Sequence, residues 1–314
     1  MDSFNKVEIG IVAERLPRVD STNLELIRRL QSGGDMPEGY VLTAHNQTHG
    51  RGQAGTDWHT QSGANWTGSI YLKPTHLAAD AGFRLSQVVA LAVVRVCMRV
   101  LGRGLPAEVY PPLTPPTGED RPPSNSRERS LTSAQLLLPG EDSTPIMKEE
   151  SQPLPLGGTG GGITIKWPND ILIEDRKVAG VLIQTGLQGQ QLAWAVIGIG
   201  LNVNQTEFQV GLSRPACSLA SVAGRKFDLD VVQAELLAGL QKEYARTQLH
   251  LADELDADYQ SWLYRRGELA TYRERGQSRT FVGILRGTDP QGRLLLDSPD
   301  GRMRTYDPKS IEFI

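Results

Sequence analysis

Ile163-Thr164-Ile165-Lys166-Trp167-Pro168-Asn169-Asp170-Ile171-Leu172-Ile173-Glu174-Asp175-Arg176-Lys177-Val178-Ala179-Gly180-Val181-Leu182 is the stretch whose reading decides the fold. Apolar and β-branched residues predict strands over Ile163–Trp167, Ile171–Glu174 and Val178–Gln184. Pro168-Asn169-Asp170 and Glu174-Asp175-Arg176 predict the hairpin turns between them. A fourth strand follows over Leu192–Gly198. The proline locks the first turn and holds its flanking side chains at fixed angles. Lys166 then suits a carboxylate or phosphate, and Asp170 a metal ion or a base role; by residue type alone the run is also an ordinary Asn-Asp turn. The second turn sets Lys177 at the mouth of a strand beside Ala179 and Gly180, where a flat ligand can approach the backbone. A charged hairpin tip is the plainer alternative. Ile197-Gly198-Ile199-Gly200-Leu201-Asn202 alternates glycine through a strand, which weakens it unless something packs close to the backbone. A bulge is the other reading.

Upstream, Ile9–Leu16 reads as a strand. Asp20-Ser21-Thr22 supply oxygen-bearing caps to a helix carrying Leu24, Leu26, Ile27 and Leu30, stopped by Gly33-Gly34 and Pro37. Strands are expected at Tyr40–Ala44 and Ser69–Leu72. Arg84–Leu101 is the clearest helix, with Leu85, Val88, Val89, Ala92, Val96 and Val100 on one wide apolar face. Downstream, Leu229–Leu251 and Asp253–Tyr264 read as helices. From Arg265 the pattern becomes short strands, at Leu269–Tyr272, Arg279–Leu285, Leu294–Leu296 and Met303–Tyr306, separated by turn residues. About five strands in that space predict a small barrel. Between the halves, 11 of the 19 prolines fall between Leu105 and Leu156, closed by a glycine run at Gly157–Gly162. Such a segment buries too little to offset its ordering entropy, so 103–162 is expected to be a disordered insertion, with Leu131–Leu138 its one helical stretch. A core carries a long loop at a cost that grows only logarithmically with length.

The loop His49-Gly50-Arg51-Gly52-Gln53-Ala54-Gly55-Thr56-Asp57-Trp58 contains G-x-G-x-x-G. A dinucleotide fingerprint needs a helix directly after the glycines. Asp57 to Gly63 has no helical periodicity and leads into a strand, which argues against that reading. Two readings remain: an anion nest, in which backbone N–H groups and the Arg51 guanidinium face a phosphate, and a plain hairpin loop.

Composition excludes several classes. The 314 residues carry 33 Lys+Arg against 36 Asp+Glu, a formal net charge of −3, which disfavours a whole-chain nucleic-acid binder. Two cysteines, Cys97 and Cys217, cannot staple a secreted scaffold or build a four-thiolate zinc site. Cys97 reads as core, and Cys217 has no matched base. No uninterrupted apolar run approaches the ~20 residues of a membrane span, and Met1–Lys6 has no apolar segment behind it. A cytoplasmic, reduced protein is the expectation. His45 and His49 lie i, i+4 apart without H-E-x-x-H and on strand and loop, so metal binding is not expected of them.

Together, Asp20-Ser21-Thr22-Asn23, Gly50-Arg51-Gly52 with Trp58, Gly63-Ala64-Asn65, Lys166-Trp167-Pro168-Asn169-Asp170, Arg176-Lys177-Val178-Ala179-Gly180 and Gly198-Ile199-Gly200-Leu201-Asn202 resemble the biotin–protein ligases. The likeness covers about residues 9–102 and 163–314. It implies an α+β fold: a class II synthetase-like catalytic domain over 1–264, a mixed sheet with helices, followed by an SH3-like β-barrel over 265–314. The implied reaction uses ATP to convert biotin to biotinyl-5′-AMP, then passes the acyl group to a lysine of a biotin carboxyl carrier protein or domain. Bringing an anion to a polyanion demands cancelled charge and in-line positioning, and Mg²⁺ on the phosphates.

Roles follow from the resemblance by position. Arg51, with the N–H groups of Gly50, Gly52 and Gln53, is expected to cradle carboxylate and α-phosphate, with Lys177 at the same junction. Lys166 is a second phosphate cation, with Asn169 beside it. Asp170 is a Mg²⁺ ligand or an orienter of Lys166. Ser21, Thr22, Asn23 and Gln47 face the ureido ring. Trp58, Gly180 and Gly198 wall the bicycle and valeryl chain. Gly200 and Asn202 belong to the adenylate side, with Asn202 at adenine. Two departures stand out: Gln53 and Thr56 occupy loop positions where many members have arginine, which predicts a weaker hold on the adenylate unless Lys166 and Lys177 compensate, and the insertion has no assigned role. The matching strand begins near Ile9, so no N-terminal helix-turn-helix and no DNA binding are expected. A monomer or weak homodimer off the membrane completes the expectation. The alternatives are a lipoate–protein ligase or octanoyltransferase of the same fold and a non-catalytic biotin- or carrier-binding module.

Overall fold

The computed structural model describes residues 7–103, 162–209, 214–249 and 251–314; the expectations for 104–161 lie outside them. Seven strands form one sheet: β1 (Ala13–Leu16), β2 (Val41–Ala44), β3 (Trp66–Leu72), β4 (Ile163–Lys166), β5 (Asp170–Ile173), β6 (Arg176–Gln188) and β7 (Gln191–Leu201), in the order β1-β2-β3-β7-β6-β5-β4. β1 and β2 are parallel, and every other neighbouring pair is antiparallel. The predicted turns are present. Lys166 pairs with Asp170 across Trp167-Pro168-Asn169, whose Trp167–Pro168 peptide is cis. Glu174 and Asp175 both take positive φ, 51° and 62°, in a two-residue hairpin of the kind that matches strand twist.

The sheet has two different faces. On one, α2 (Phe83–Val100) and α4 (Leu229–Gln248) cover Ile70, Leu72, Ile197, Ile199 and Leu201. α2 with the turn before it, Ala79–Val100, is long and apolar enough by length and composition to cross a bilayer, which counting uninterrupted apolar residues did not detect. Its Leu85, Val88, Val89, Ala92, Val96 and Cys97 are buried in this core, which accounts for that composition. On the other face, α1 (Thr22–Gln31) packs Leu26 with Leu42, Tyr71 and Val196. The short helix α3 (Leu219–Ala223), missed in the sequence, starts at a reciprocal Ser218–Ser221 capping box and stops at Gly224 in the left-handed region, φ 69°. α5 is Ala252–Ser261.

The C-terminal strands β8 (Leu269–Glu274), β9 (Thr280–Thr288), β10 (Leu294–Asp297), β11 (Met303–Tyr306) and β12 (Ile311–Phe313) form a small antiparallel sheet in the order β11-β10-β9-β8-β12. Tyr272, Leu285, Leu294 and Leu296 of this sheet join the same apolar cluster as α2 and α5. The link to the Lys166–Asp170 turn is direct: Trp167 Nε1 donates to Gly292 O at 2.9 Å, and Tyr259 Oη of α5 donates to Pro168 O at 2.7 Å.

Candidate active site

Strand register places the glycines. Across β3, β7 and β6, Thr67 lies opposite Gly200, which lies opposite Gly180; two residues along, Ser69 lies opposite Gly198, which lies opposite Leu182. Residues two apart on a strand share a face, so these rows form a floor without side chains on β7, on the face that α1 covers. A Cβ on Gly200 would meet the Trp58 indole at 2.3 Å, one on Gly180 would meet Lys177 Cε at 3.0 Å and Trp58 at 3.2 Å, and one on Gly198 would meet Asn23 Oδ1 at 2.4 Å. Trp58 therefore lies flat across the first row and Asn23 across the second. The indole Nε1 is buried with no hydrogen-bond partner among the described residues, and Lys177 Nζ stands 5.7 Å from a ring centroid of the same indole.

The closed end of this slot is polar. Gln47 Oε1 accepts from the Thr22 N–H at 2.8 Å and contacts Thr22 Oγ1 at 3.0 Å; Thr22 Oγ1 contacts Ser69 Oγ at 2.7 Å, and Ser69 Oγ contacts Asn23 Oδ1 at 2.5 Å. Asn23 Nδ2 donates to Leu182 O at 3.1 Å, which fixes its Oδ1 toward Ser69. Three oxygen–oxygen contacts thus share the two hydroxyl protons of Thr22 and Ser69. The row is short of one proton and is a net acceptor. Thr22, Asn23 and Ser69 are almost fully buried, so this deficit is costly in the absence of a donor. Ser21, the N-cap of α1, makes no side-chain capping bond. Beside it, Asp20 takes a bidentate grip from Arg28, at 2.7 and 2.8 Å, and the Ser21 N–H. The Arg28 hydrogen bonds pull its carboxyl down to about 2, against the opposing effect of burial.

The open end is cationic. Lys177 Nζ pairs with Asp170 Oδ1 at 2.8 Å. Lys166 lies with Nζ 5.3 Å from the Phe313 ring centroid. Burial holds its ammonium below the ordinary lysine range; Asp170 and, more weakly, Glu312 oppose this, while Arg214 and Lys177 add to it. Asn169 is buried, and its Oδ1 accepts from Gln53 Nε2 at 2.9 Å; the same Nε2 donates to Val181 O at 3.2 Å. Gln53 thereby ties the glycine loop to the Lys166–Asp170 turn.

Residues 16–202 match the sequence model of the Biotin/lipoate A/B protein ligase family. The chain belongs to that family. Among curated relatives it is 27% identical over 278 residues to the Bifunctional ligase/repressor BirA of Bacillus subtilis (strain 168), covering 88% of this chain and 66% of that protein. It is 27% identical over 290 residues to the Biotin--[acetyl-CoA-carboxylase] ligase of Mycobacterium tuberculosis, covering 92% of this chain and 83% of that one. The chain thus spans slightly under two thirds of the length of the BirA relative. Its fold is similar to that of a biotin protein ligase from Aquifex aeolicus solved in complex with biotin and ATP: TM-score 0.65, 20% identity, 97% of this chain and 99% of that one. The mixed sheet with helices expected from the sequence is present, and the five-stranded antiparallel C-terminal sheet is consistent with the SH3-like barrel expected there.

The structure brings Thr22, Asn23, Gln47, Trp58, Gly180, Gly198, Gly200, Lys177 and Asp170 around one slot. One expectation is corrected, and two residues are placed. The glycine loop is not an open nest at Gly52: the Gly52 N–H goes to Thr56 O at 2.6 Å and the Trp58 N–H to Gly50 O at 2.8 Å, so the loop closes as a small hairpin around a bridge between Arg51 and Asp57. Asn202 turns inward; its Nδ2 donates to Cys217 O at 3.1 Å and its Oδ1 accepts from Asn65 Nδ2 at 3.4 Å, so its amide braces the end of β7. Arg51 is exposed and sits on this hairpin, bridged by its backbone to Asp57. Ser69 was missed. Its signal was a serine inside Trp66-Thr67-Gly68-Ser69-Ile70-Tyr71-Leu72, where a fully buried strand position carries a hydroxyl.

Proposed function

We propose that the chain joins biotin to a protein lysine through biotinyl-5′-AMP. The observation that carries this reading is the proton-poor row Gln47–Thr22–Ser69–Asn23 at the closed end of an apolar-walled slot whose other end is cationic. A cyclic urea offers two N–H donors to such a row. The dithiolane of lipoate and the tail of octanoate offer none, and would leave buried acceptors unpaired, the kind of mismatch that discriminates most strongly between substrates. The thioether ring and valeryl chain take the place over the glycine floor that the Trp58 indole covers in the free chain, and the carboxylate then reaches toward Lys177. Because Trp58 lies across the floor, its indole swings aside to admit the ring.

In the first step a biotin carboxylate oxygen bonds to the α-phosphorus of ATP while the bond from that phosphorus to the bridging oxygen breaks, releasing pyrophosphate. Lys177 offsets the charge of the incoming carboxylate and the α-phosphate, with Asp170 holding its ammonium in place. In the second step the neutral amine of the acceptor lysine attacks the acyl carbon; the acyl–phosphate C–O bond breaks, AMP leaves, and the amine gives its proton to solvent. Among the described residues no group of three or more His, Cys, Asp or Glu could hold a metal ion. Asp170 is the residue that would hold a Mg²⁺ here, and the ion would supply charge neutralisation on the phosphates.

The acceptor of choice is the carrier domain of a biotin-dependent carboxylase, acted on in the cytoplasm; the acetyl-CoA-carboxylase specificity in the name of the Mycobacterium tuberculosis relative supports this acceptor class. Biotin-dependent ATP–pyrophosphate exchange is the test. Exchange supported by biotin and not by lipoate or octanoate is expected. Exchange with lipoate alone moves the chain to the lipoate branch of its family, and biotin binding without exchange makes it a binding module.

A further inference from the structure

Beyond the slot, the cations at its mouth extend past the residues assigned so far. Tyr264, just after α5, and Phe313 of β12 lie with ring centroids 6.3 Å apart. Lys166 Nζ sits 5.3 Å from the Phe313 centroid, and the Arg214 guanidinium 5.1 Å from that of Tyr264, so the aromatic pair carries both on one platform. Arg214 is also fixed from behind: its Nη1 donates to Asp175 O at 3.0 Å. The residues after it clamp Lys177, whose N–H donates to Pro215 O at 2.8 Å and whose carbonyl accepts from Cys217 N–H at 3.0 Å. Arg214 is thus registered against Lys177 by backbone and against Lys166 by rings.

Its charge has no carboxylate partner among the described residues. Among the described residues Arg214 makes no ion pair, whereas its neighbours are matched: Arg176 with Glu174 at 2.7 Å, Lys177 with Asp170 at 2.8 Å, and Glu312 with Arg273 at 2.6 Å. Arg265, on the same Tyr264 ring, donates to Ile314 O at 2.9 Å. Asp170 is shared between Lys177 and Lys166, and Glu312, which also acts on Lys166, is held by Arg273, so neither carboxylate answers the charge of Arg214; the glycine loop adds only Arg51, since Gln53 and Thr56 are neutral. Cations held this close by rings and main chain, in excess over the carboxylates beside them, make a site for a polyanion.

We propose that Arg214 binds the polyphosphate of the nucleotide, at the β- and γ-phosphates that leave as pyrophosphate. The proposal rests on the reading above for the identity of the anion, and adds a residue that the sequence motifs did not single out. Arginine suits the role because its planar fork takes two phosphate oxygens at once while its face stays on an aromatic ring.

The test titrates inorganic tripolyphosphate into the full chain by calorimetry, for wild type, Arg214→Gln and Arg214→Lys. Arg176→Gln is the control that removes an equal charge nearby. Affinity is expected to fall about tenfold in Arg214→Gln, to recover in part in Arg214→Lys, and to change less than about twofold in Arg176→Gln. In exchange assays KM for ATP should rise by the same factor in Arg214→Gln with KM for biotin unchanged. A tripolyphosphate affinity in Arg214→Gln equal to wild type, or reduced no more than in Arg176→Gln, overturns the proposal. Should wild type bind tripolyphosphate through Arg214 but show no biotin-dependent exchange, the functional reading falls and the polyanion site stands. If Arg214→Gln does not fold, modification of wild-type Arg214 by phenylglyoxal decides: protection by tripolyphosphate supports the assignment, and its absence refutes it.

Discussion

Replacing Gly198 by alanine tests the slot at its most constrained point. The new methyl would lie 2.4 Å from Asn23 Oδ1 and 2.8 Å from its Cγ, where ordinary contact begins near 3.4 Å. Asn23 must move by about 1 Å, because the strand beneath it is locked between β3 and β6. A shift of that size breaks the 2.5 Å contact with Ser69 and the 3.1 Å bond to Leu182 O. Each is worth roughly 0.5–1.5 kcal/mol, and removing a strand glycine returns roughly 0.5–1 kcal/mol. The expected net loss is therefore roughly 1–2 kcal/mol in urea unfolding. Biotin affinity should fall about 100-fold or more, since a 1 Å misplacement at a site costs about that much. Asn23→Ala removes the same two bonds without the clash, so the double variant Gly198→Ala/Asn23→Ala should be little less stable than Asn23→Ala alone. Calorimetry with biotin and a double-mutant cycle read both effects. Full biotin affinity in Gly198→Ala, or strictly additive stabilities, would refute the slot geometry.

Three further outcomes follow from the same geometry. Lys177→Gln should lose at least about 100-fold in exchange rate while changing stability by under about 1 kcal/mol, because its 2.8 Å pair with Asp170 is partly solvated; a large drop in melting temperature would make it a structural lysine. The Asp20 carboxyl is held at about 2 in the fold, below its ordinary 3.8, so the stability it contributes is complete above about pH 4 and disappears as pH falls toward 2. Asp20→Asn should flatten that acid limb in a pH series of urea midpoints, and an unchanged limb sinks the assignment. Burial pushes the Cys97 thiol up to about 12 and the Cys217 thiol up to about 11, so neither should react with a disulfide reagent at pH 8 until the chain unfolds; rapid native labelling of either would contradict the packing.

What the sequence disclosed was local. The proline turn at Lys166–Asp170 and the Glu174-Asp175 hairpin were readable because turn chemistry is written in adjacent residues, and α2 because its apolar face repeats with helical period. The sequence did not disclose that β7 lies between β3 and β6. Only that strand order brings Gly180 opposite Gly200 and Ser69 opposite Gly198. Ser69 therefore escaped notice although Thr22 and Asn23 did not. Asn202 shows the converse: its position after a glycine-rich strand suggested a ligand, whereas burial against Asn65 and Cys217 gave its amide internal partners. The loop glycines misled in a similar way, since hairpin closure through Gly52 and Thr56 needs the same residue type as an anion nest.

Floor and lid of the slot are built on different physics, and that division assigns them different work. The floor lies on β6 and β7, whose reverse faces are packed into the main core, so its shape is set by the most buried part of the molecule. It departs from local rules in three ways at one place: glycines in mid-sheet, an N-cap serine that caps nothing, and a hydroxyl row one proton short. Each costs stability in the empty protein, and their coincidence is what a ligand-facing surface looks like when every other level of the structure agrees with the fold. The lid is a hairpin joined to the turn opposite by a single amide, Gln53, with a tryptophan laid into the slot and its N–H unanswered. A rigid floor discriminates among ligands by which buried groups they satisfy. A lightly tethered lid governs how fast they enter and leave. Substitutions on β6, β7 and α1 should therefore act on selectivity, and those between Gly50 and Trp58 on release.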